Sequence, residues 1–79
     1  MKSLKDFNDS RNLQIGLNIA KYRKLNGMTQ EHLARLIGVS PTYLMEVESV
    51  NYIRSVPLKM IYAIADLYHI PPKKLMEHD

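Results

Sequence analysis

Between Thr29 and Glu48 the chain reads TQEHLARLIGVSPTYLMEVE, and its start and stop signals fall so close together that only two short helices joined by a tight turn satisfy them. Thr29 is a good N-cap, because its side-chain oxygen can accept from a backbone N–H of the first turn. Leu33, Leu36 and Ile37 then recur at the three- and four-residue spacing of one helical face. Gly38 follows where the chain must turn sharply, a place that suits a residue without a β-carbon. Ser40 and Pro41 supply a second cap and the residue best suited to a first helical position. In that second helix Leu44 and Val47 are three apart and pack back on the first, which leaves Pro41, Thr42, Met45 and Glu46 facing outward.

These residues, in this register, resemble the helix-turn-helix of the Cro and lambda-repressor-like family, the Xre-type transcriptional regulators of bacteria and phages. Ala34 stands where the family has the small residue at which the two helices touch, and Gly38 where it has the turn glycine. Leu33, Ile37, Val39, Leu44 and Val47 match its buried positions. A side chain larger than alanine at 34 would push the helices apart, and a β-carbon at 38 would strain a left-handed turn. The resemblance extends from about Ile15 to Met76. It implies an all-α, five-helix lambda-repressor-like DNA-binding domain over residues 11–79, with residues 1–10 as a partly ordered or flexible N-terminal arm.

The remaining segments fit that outline. Asp9 or Ser10 can cap a helix reaching about Leu25, with Asn26 and Gly27 as its stop signal and Ile15, Ile19 and Tyr22 on its inner face. Gly16 costs such a helix about 1 kcal/mol relative to alanine, which points to close approach by another backbone. Leu13 and Leu17 form a second apolar stripe that Leu4 and Phe7 of the arm can cover. After Glu48 the run SVNYIRS lacks helical period. Ser55 can cap a fourth helix, with Pro57 in its first turn, that runs to about Tyr68 and buries Leu58, Ile61, Ile64, Ala65 and Leu67. A final short helix from Pro71 or Pro72 is anchored by Leu75 and Met76, and Ile70 plugs the core between them.

Composition removes other classes. The 79 residues make one domain with a small core, and hydrophobic residues at 46% argue against disorder. Without Cys there is neither a disulfide framework nor a thiolate metal site. No apolar run approaches the length of a bilayer span, and MKSLKDFNDSRN lacks the apolar block of a signal peptide, so no membrane is implied and a cytoplasmic location is expected. His32, His69 and His78 form no metal-binding spacing, and no glycine-rich phosphate loop follows a strand. Neither a metal, a cofactor nor an enzymatic activity is expected. The net charge of +3 fits an anionic partner but is mild for a nucleic-acid binder.

The resemblance implies double-stranded DNA as that partner. A helix fits the major groove, where exposed side chains meet base edges. The side chains so offered are those of Pro41, Thr42, Met45 and Glu46, and Glu46 can accept from a cytosine amino group. Gln30 stands at a family position that clamps phosphate, aided by the N–H groups opening its helix. Tyr43, Asn51, Tyr52 and Arg54 are further backbone contacts, with Lys21, Lys24 and Arg35 as additional cations. An arginine at position 23 pairs in the family with the glutamate closing the recognition helix, here Glu48, so both are expected to be structural.

One departure stands out: no Lys or Arg lies between Gly38 and Asn51, and Glu46 occupies a place that relatives fill with a basic or neutral residue. The reading is therefore a DNA-binding transcriptional regulator, a repressor by preference, acting as a homodimer on a near-palindromic operator. Candidates for the dimer face are Tyr52, Ile53, Tyr62, Tyr68, the Pro71–Met76 stretch and the Leu13 and Leu17 stripe. The alternative is a protein-interaction module on the same fold, such as an antitoxin or adaptor with a protein partner.

Overall fold

Ser3 opens the first helix. Its hydroxyl accepts from the Asp6 N–H at 3.2 Å, and the Asp6 carboxylate accepts from the Ser3 N–H at 3.3 Å, so two of the donors a helix start leaves unpaired are satisfied reciprocally. The computed structural model describes residues 3–78. Among them α1 spans Leu4–Leu25, α2 Gln30–Ile37, α3 Pro41–Glu48 and α4 Leu58–Tyr68, followed by one 3-10 turn at Pro72–Leu75.

α1 thus begins well before the expected cap at Asp9 or Ser10, and residues 4–10 of the expected arm are helical. Met1 and Lys2 of that arm, like Asp79, lie outside the described residues. The longer helix also removes the expected cover for Leu17, which stays exposed, because one straight helix cannot fold its first turn onto its later ones. At 1.5 Å per residue α1 is about 33 Å long, which accounts for most of the 39 Å long dimension of the molecule. Its first turns overhang the core and leave Leu4 and Phe7 exposed.

Ile15, Ile19, Leu33, Leu44, Ile61, Ile64 and Leu75 form the centre of the core. Gly16 is where α3 comes closest. The backbone carbonyl of Val47 lies against its Cα, in the space a β-carbon would fill, which names the close neighbour that the sequence left unnamed. Thr29 and Ser40 cap α2 and α3 by accepting from the N–H groups of His32 and Tyr43, each at 3.0 Å. Between them Gly38 adopts φ 75°, and the Val39 N–H closes the turn on the Ala34 carbonyl at 3.0 Å.

Several expectations are corrected. Leu36 is half exposed, because the buried stripe of α2 runs through Leu33, Ala34 and Ile37 and leaves Leu36 to one side. Ser55 does not cap α4; Pro57 stands at the N-cap with no side-chain cap, and the Ser55 carbonyl serves Tyr43 instead. Leu58 is exposed rather than core, since it shares its face of α4 with Tyr62 four residues on, while Met60, Ile61, Ile64, Ala65 and Tyr68 face inward. Burial also removes Tyr68 from the candidates for a dimer face. The expected fifth helix is reduced to a 3-10 turn: adjacent Pro71 and Pro72 supply no N–H, and the Lys74 and Met76 N–H groups close three-residue bonds on the Pro71 and Lys73 carbonyls.

Asn18 holds that turn in place. Its side chain is buried inside the apolar stripe of α1 and donates to the carbonyls of Leu75 at 2.9 Å and Glu77 at 2.8 Å, while its oxygen accepts from Gln14 at 3.0 Å. No helix among the described residues is long and apolar enough to cross a membrane.

Candidate nucleic-acid interface

The C-terminal end of α3 is held by Arg23 and Gln30 through Glu48. Arg23 Nε donates to Glu48 Oε2 and Nη2 to Oε1, both at 2.8 Å, in the two-pronged geometry that suits guanidinium to carboxylate. Its Nη1 donates to the Met28 carbonyl at 2.7 Å, and Gln30 Nε2 adds a third bond to Glu48 Oε1 at 2.9 Å. The hydrogen bonds that Glu48 accepts push the Arg23 guanidinium above its ordinary value, against the opposing pull of burial. With side chains only 10% and 4% exposed, Arg23 and Glu48 are too enclosed to meet a ligand, so this cluster joins α1, α2 and α3 and offers nothing outward.

Gln30 Nε2 gives one of its two N–H donors to Glu48 and keeps the other, and the residue is half-buried at the start of α2. What α2 presents at its start is the remaining backbone N–H groups and the positive end of its dipole.

Beyond this anchor, α3 turns Leu44 and Val47 into the core and leaves Pro41 and Thr42 exposed. Met45 is 40% exposed, which puts a flexible apolar side chain beside Thr42 on the open face. Arg35 and Pro41 border one shallow cleft with Glu31 and Val39, so this cation flanks the start of α3.

Glu46 is not the unpaired carboxylate that the sequence suggests. Arg54 Nη1 donates to its Oε1 at 2.6 Å. The Arg54 guanidinium lies 4.9 Å from the centre of the Tyr43 ring, within reach of a cation–π attraction. Tyr43 O–H donates to the Ser55 carbonyl at 2.7 Å. Burial pushes the Tyr43 phenol up, and nearby Arg54 partly offsets that. The structure therefore brings Tyr43, Glu46 and Arg54 into one cluster on the flank of α3. Sequence reasoning missed it because Arg54 sits in a loop without periodicity; the one signal was that Arg54 is the first cation after Gly38.

Asn51 and Tyr52 are exposed in the same loop, with the Asn51 N–H donating to Ser49 Oγ at 3.1 Å. Lys21 and Lys24 stand exposed on α1, where Lys21 Nζ lies 5.6 Å from the Tyr22 ring. No ion pair or hydrogen bond among the described residues links either lysine to the α3 face. Nor does any group of three or more His, Asp or Glu among these residues stand where it could hold a metal.

Residues 19–75 match the sequence model of the helix-turn-helix family. No curated protein matches the chain. Among solved structures, the crystal structure of the restriction-modification controller protein C.AhdI from Aeromonas hydrophila is similar, with 30% sequence identity and a TM-score of 0.71 over 84% of this chain and 97% of that one. The family match takes in the last two turns of α1, the α2–turn–α3 unit, α4 and the 3-10 turn. The chain belongs to the Xre/Cro-like helix-turn-helix family, whose fold is that of DNA-binding transcription regulators.

Proposed function

We propose that the protein is a sequence-specific transcriptional regulator that acts by occupancy, a homodimer on a near-palindromic operator repressing the promoter beneath it. The observation that carries this reading is the disposition of α3: Leu44 and Val47 are buried, Glu48 is tied to Arg23 and Gln30, and Thr42 and Met45 are left bare on the opposite side. Thr42 would hydrogen-bond a base edge or touch a thymine methyl, and Met45 would pack on such a methyl. Affinity would come from phosphates met by the N–H groups at the start of α2 with Gln30, by Tyr43, Asn51 and Tyr52, and by Arg35, Lys21 and Lys24. The similarity to a protein described as a restriction-modification controller supports a regulatory role.

One domain of this size reads a half-site, and relatives with two-fold symmetry span half-sites about 34 to 36 Å apart. Leu58 and Tyr62, exposed together on one face of α4, with Tyr52 and Ile53 exposed in the loop before it, are the apolar surface that we assign to the dimer contact.

Selection of bound sequences from a random DNA pool, followed by gel shifts across a salt series, tests the reading. A palindromic consensus whose affinity falls steeply with salt supports it, because each neutralised phosphate releases counterions. The interaction-module alternative predicts no consensus at all. A carboxylate at Glu46 and the absence of Lys and Arg between Gly38 and Asn51 both favour that alternative; the pairing of Glu46 with Arg54 weakens the first, and the second stands.

A further inference from the structure

Arg54 is the first Lys or Arg in the sequence after Gly38. A guanidinium carries five N–H donors in a fixed fork. Glu46 engages Arg54 through Nη1 and the Tyr43 ring takes one face, which leaves Nε and Nη2 without an acceptor among the described residues. The Arg54 side chain is 46% exposed and that of Glu46 only 19%, so the guanidinium is the accessible member of the pair.

The loop from Asn51 to Ser55 is exposed at every residue and is neither helix nor strand. Its side-chain ties to α3 are the Arg54–Glu46 bond and the Tyr43–Ser55 bond. Together with the buried Val56 they fix the position of Arg54 relative to α3. A carboxylate that grips one side of an arginine while its free donors face outward orients the fork before any contact is made.

We infer that Arg54 reads the O6 and N7 edge of a guanine in the major groove, the acceptor pair that an arginine fork matches. Glu46 is then a positioning residue that acts through Arg54, in place of the cytosine reader that its sequence position suggests. This inference rests on the proposed DNA-binding function and specifies how that face discriminates.

Random-pool selections with the wild-type protein, Arg54→Ala, Arg54→Lys and Glu46→Gln test it. The wild type should prefer guanine at one position of each half-site, by about tenfold to a hundredfold over other bases. Arg54→Ala should lose that preference and keep the others. Arg54→Lys should fail to restore it, and if Arg54→Ala melts early this charge-conserving variant gives the same readout. Glu46→Gln should weaken the same position, and the double variant should be no worse than Arg54→Ala alone.

Uniform weakening of all sequences by Arg54→Ala, with the salt slope smaller by about one, makes Arg54 a phosphate contact and overturns the inference while leaving the regulator reading intact. A change by Glu46→Gln at a position that Arg54→Ala leaves untouched makes Glu46 a reader in its own right and overturns it too. If the wild type selects nothing, the DNA-binding reading itself fails and takes this inference with it.

Discussion

The Cα of Gly16 in α1 lies directly beneath the backbone carbonyl of Val47 in α3, and a β-carbon there would overlap the oxygen. Backbone on both sides means that no rotamer change can relieve the clash. Gly16→Ala should therefore destabilise the domain by about 1 to 3 kcal/mol, in spite of the roughly 1 kcal/mol that alanine gains in a helix interior. Urea denaturation of the two proteins decides the sign; a more stable alanine variant would mean that α3 moves away freely.

Glu48 offers a sharper test of packing. Glu48→Ala leaves the enclosed Arg23 guanidinium without its carboxylate, at a cost of about 3 to 5 kcal/mol. Replacing both partners, as Arg23→Met with Glu48→Leu, removes the stranded charge and should cost less than Glu48→Ala alone. Equal costs in chemical denaturation would show that water, rather than Glu48, solvates Arg23.

Much of this architecture was legible in the chain, because it is written in local signals. Thr29, Gly38, Ser40 and Pro41 act within one or two turns, so the bounds of α2 and α3 could be read directly. Gly16 announced a close approach but not its partner, since the contact with Val47 exists only once α1 and α3 pack. Ser3 and Asp6 form a capping box with aspartate in the place more often held by glutamate, and Asp9 and Ser10 lie nearer the buried stripe that starts at Ile15, so the sequence alone points to the later cap. Arg54 met Glu46 through the fold of an irregular loop, where spacing carries no information.

Asn18 was missed although it interrupts the stripe between Ile15 and Ile19, where a polar residue needs partners. Asn18→Ala strands the buried Leu75 carbonyl and should cost about 1 to 3 kcal/mol. The loss should be local as well as global. Hydrogen exchange should show residues 72–77 opening before α2 and α3, whereas uniform acceleration would assign Asn18 no special hold on the 3-10 turn.

Burial pushes the phenols of both Tyr43 and Tyr68 above the ordinary value of about 10. The folded chain therefore retains these protons to higher pH than the unfolded chain does. Their contribution to stability is whole below about pH 10 and is lost as pH rises through the raised values. Denaturation midpoints measured from pH 9 upward should decline for the wild type, and less steeply for the Tyr43→Phe, Tyr68→Phe double variant. Identical slopes would place the alkaline loss elsewhere.

Thr42 and Gln30 separate recognition from grip. Thr42→Ala should alter base preference at a single position by about 1 kcal/mol or more. Gln30→Ala should weaken all sequences alike and, because Gln30 also donates to Glu48, should lower the melting temperature. A change of preference caused by Gln30→Ala would give it a role in discrimination.

The three-way clamp of Arg23, Gln30 and Glu48 has a consequence for how the chain meets its target. If α3 reads bases as proposed, its backbone is already fixed on the scaffold and loses little ordering entropy on association, so the ordering cost falls on the exposed side chains. Discrimination then resides in the few atoms at the tip, and new specificities are reached by exchanging those atoms while the shaft is left alone.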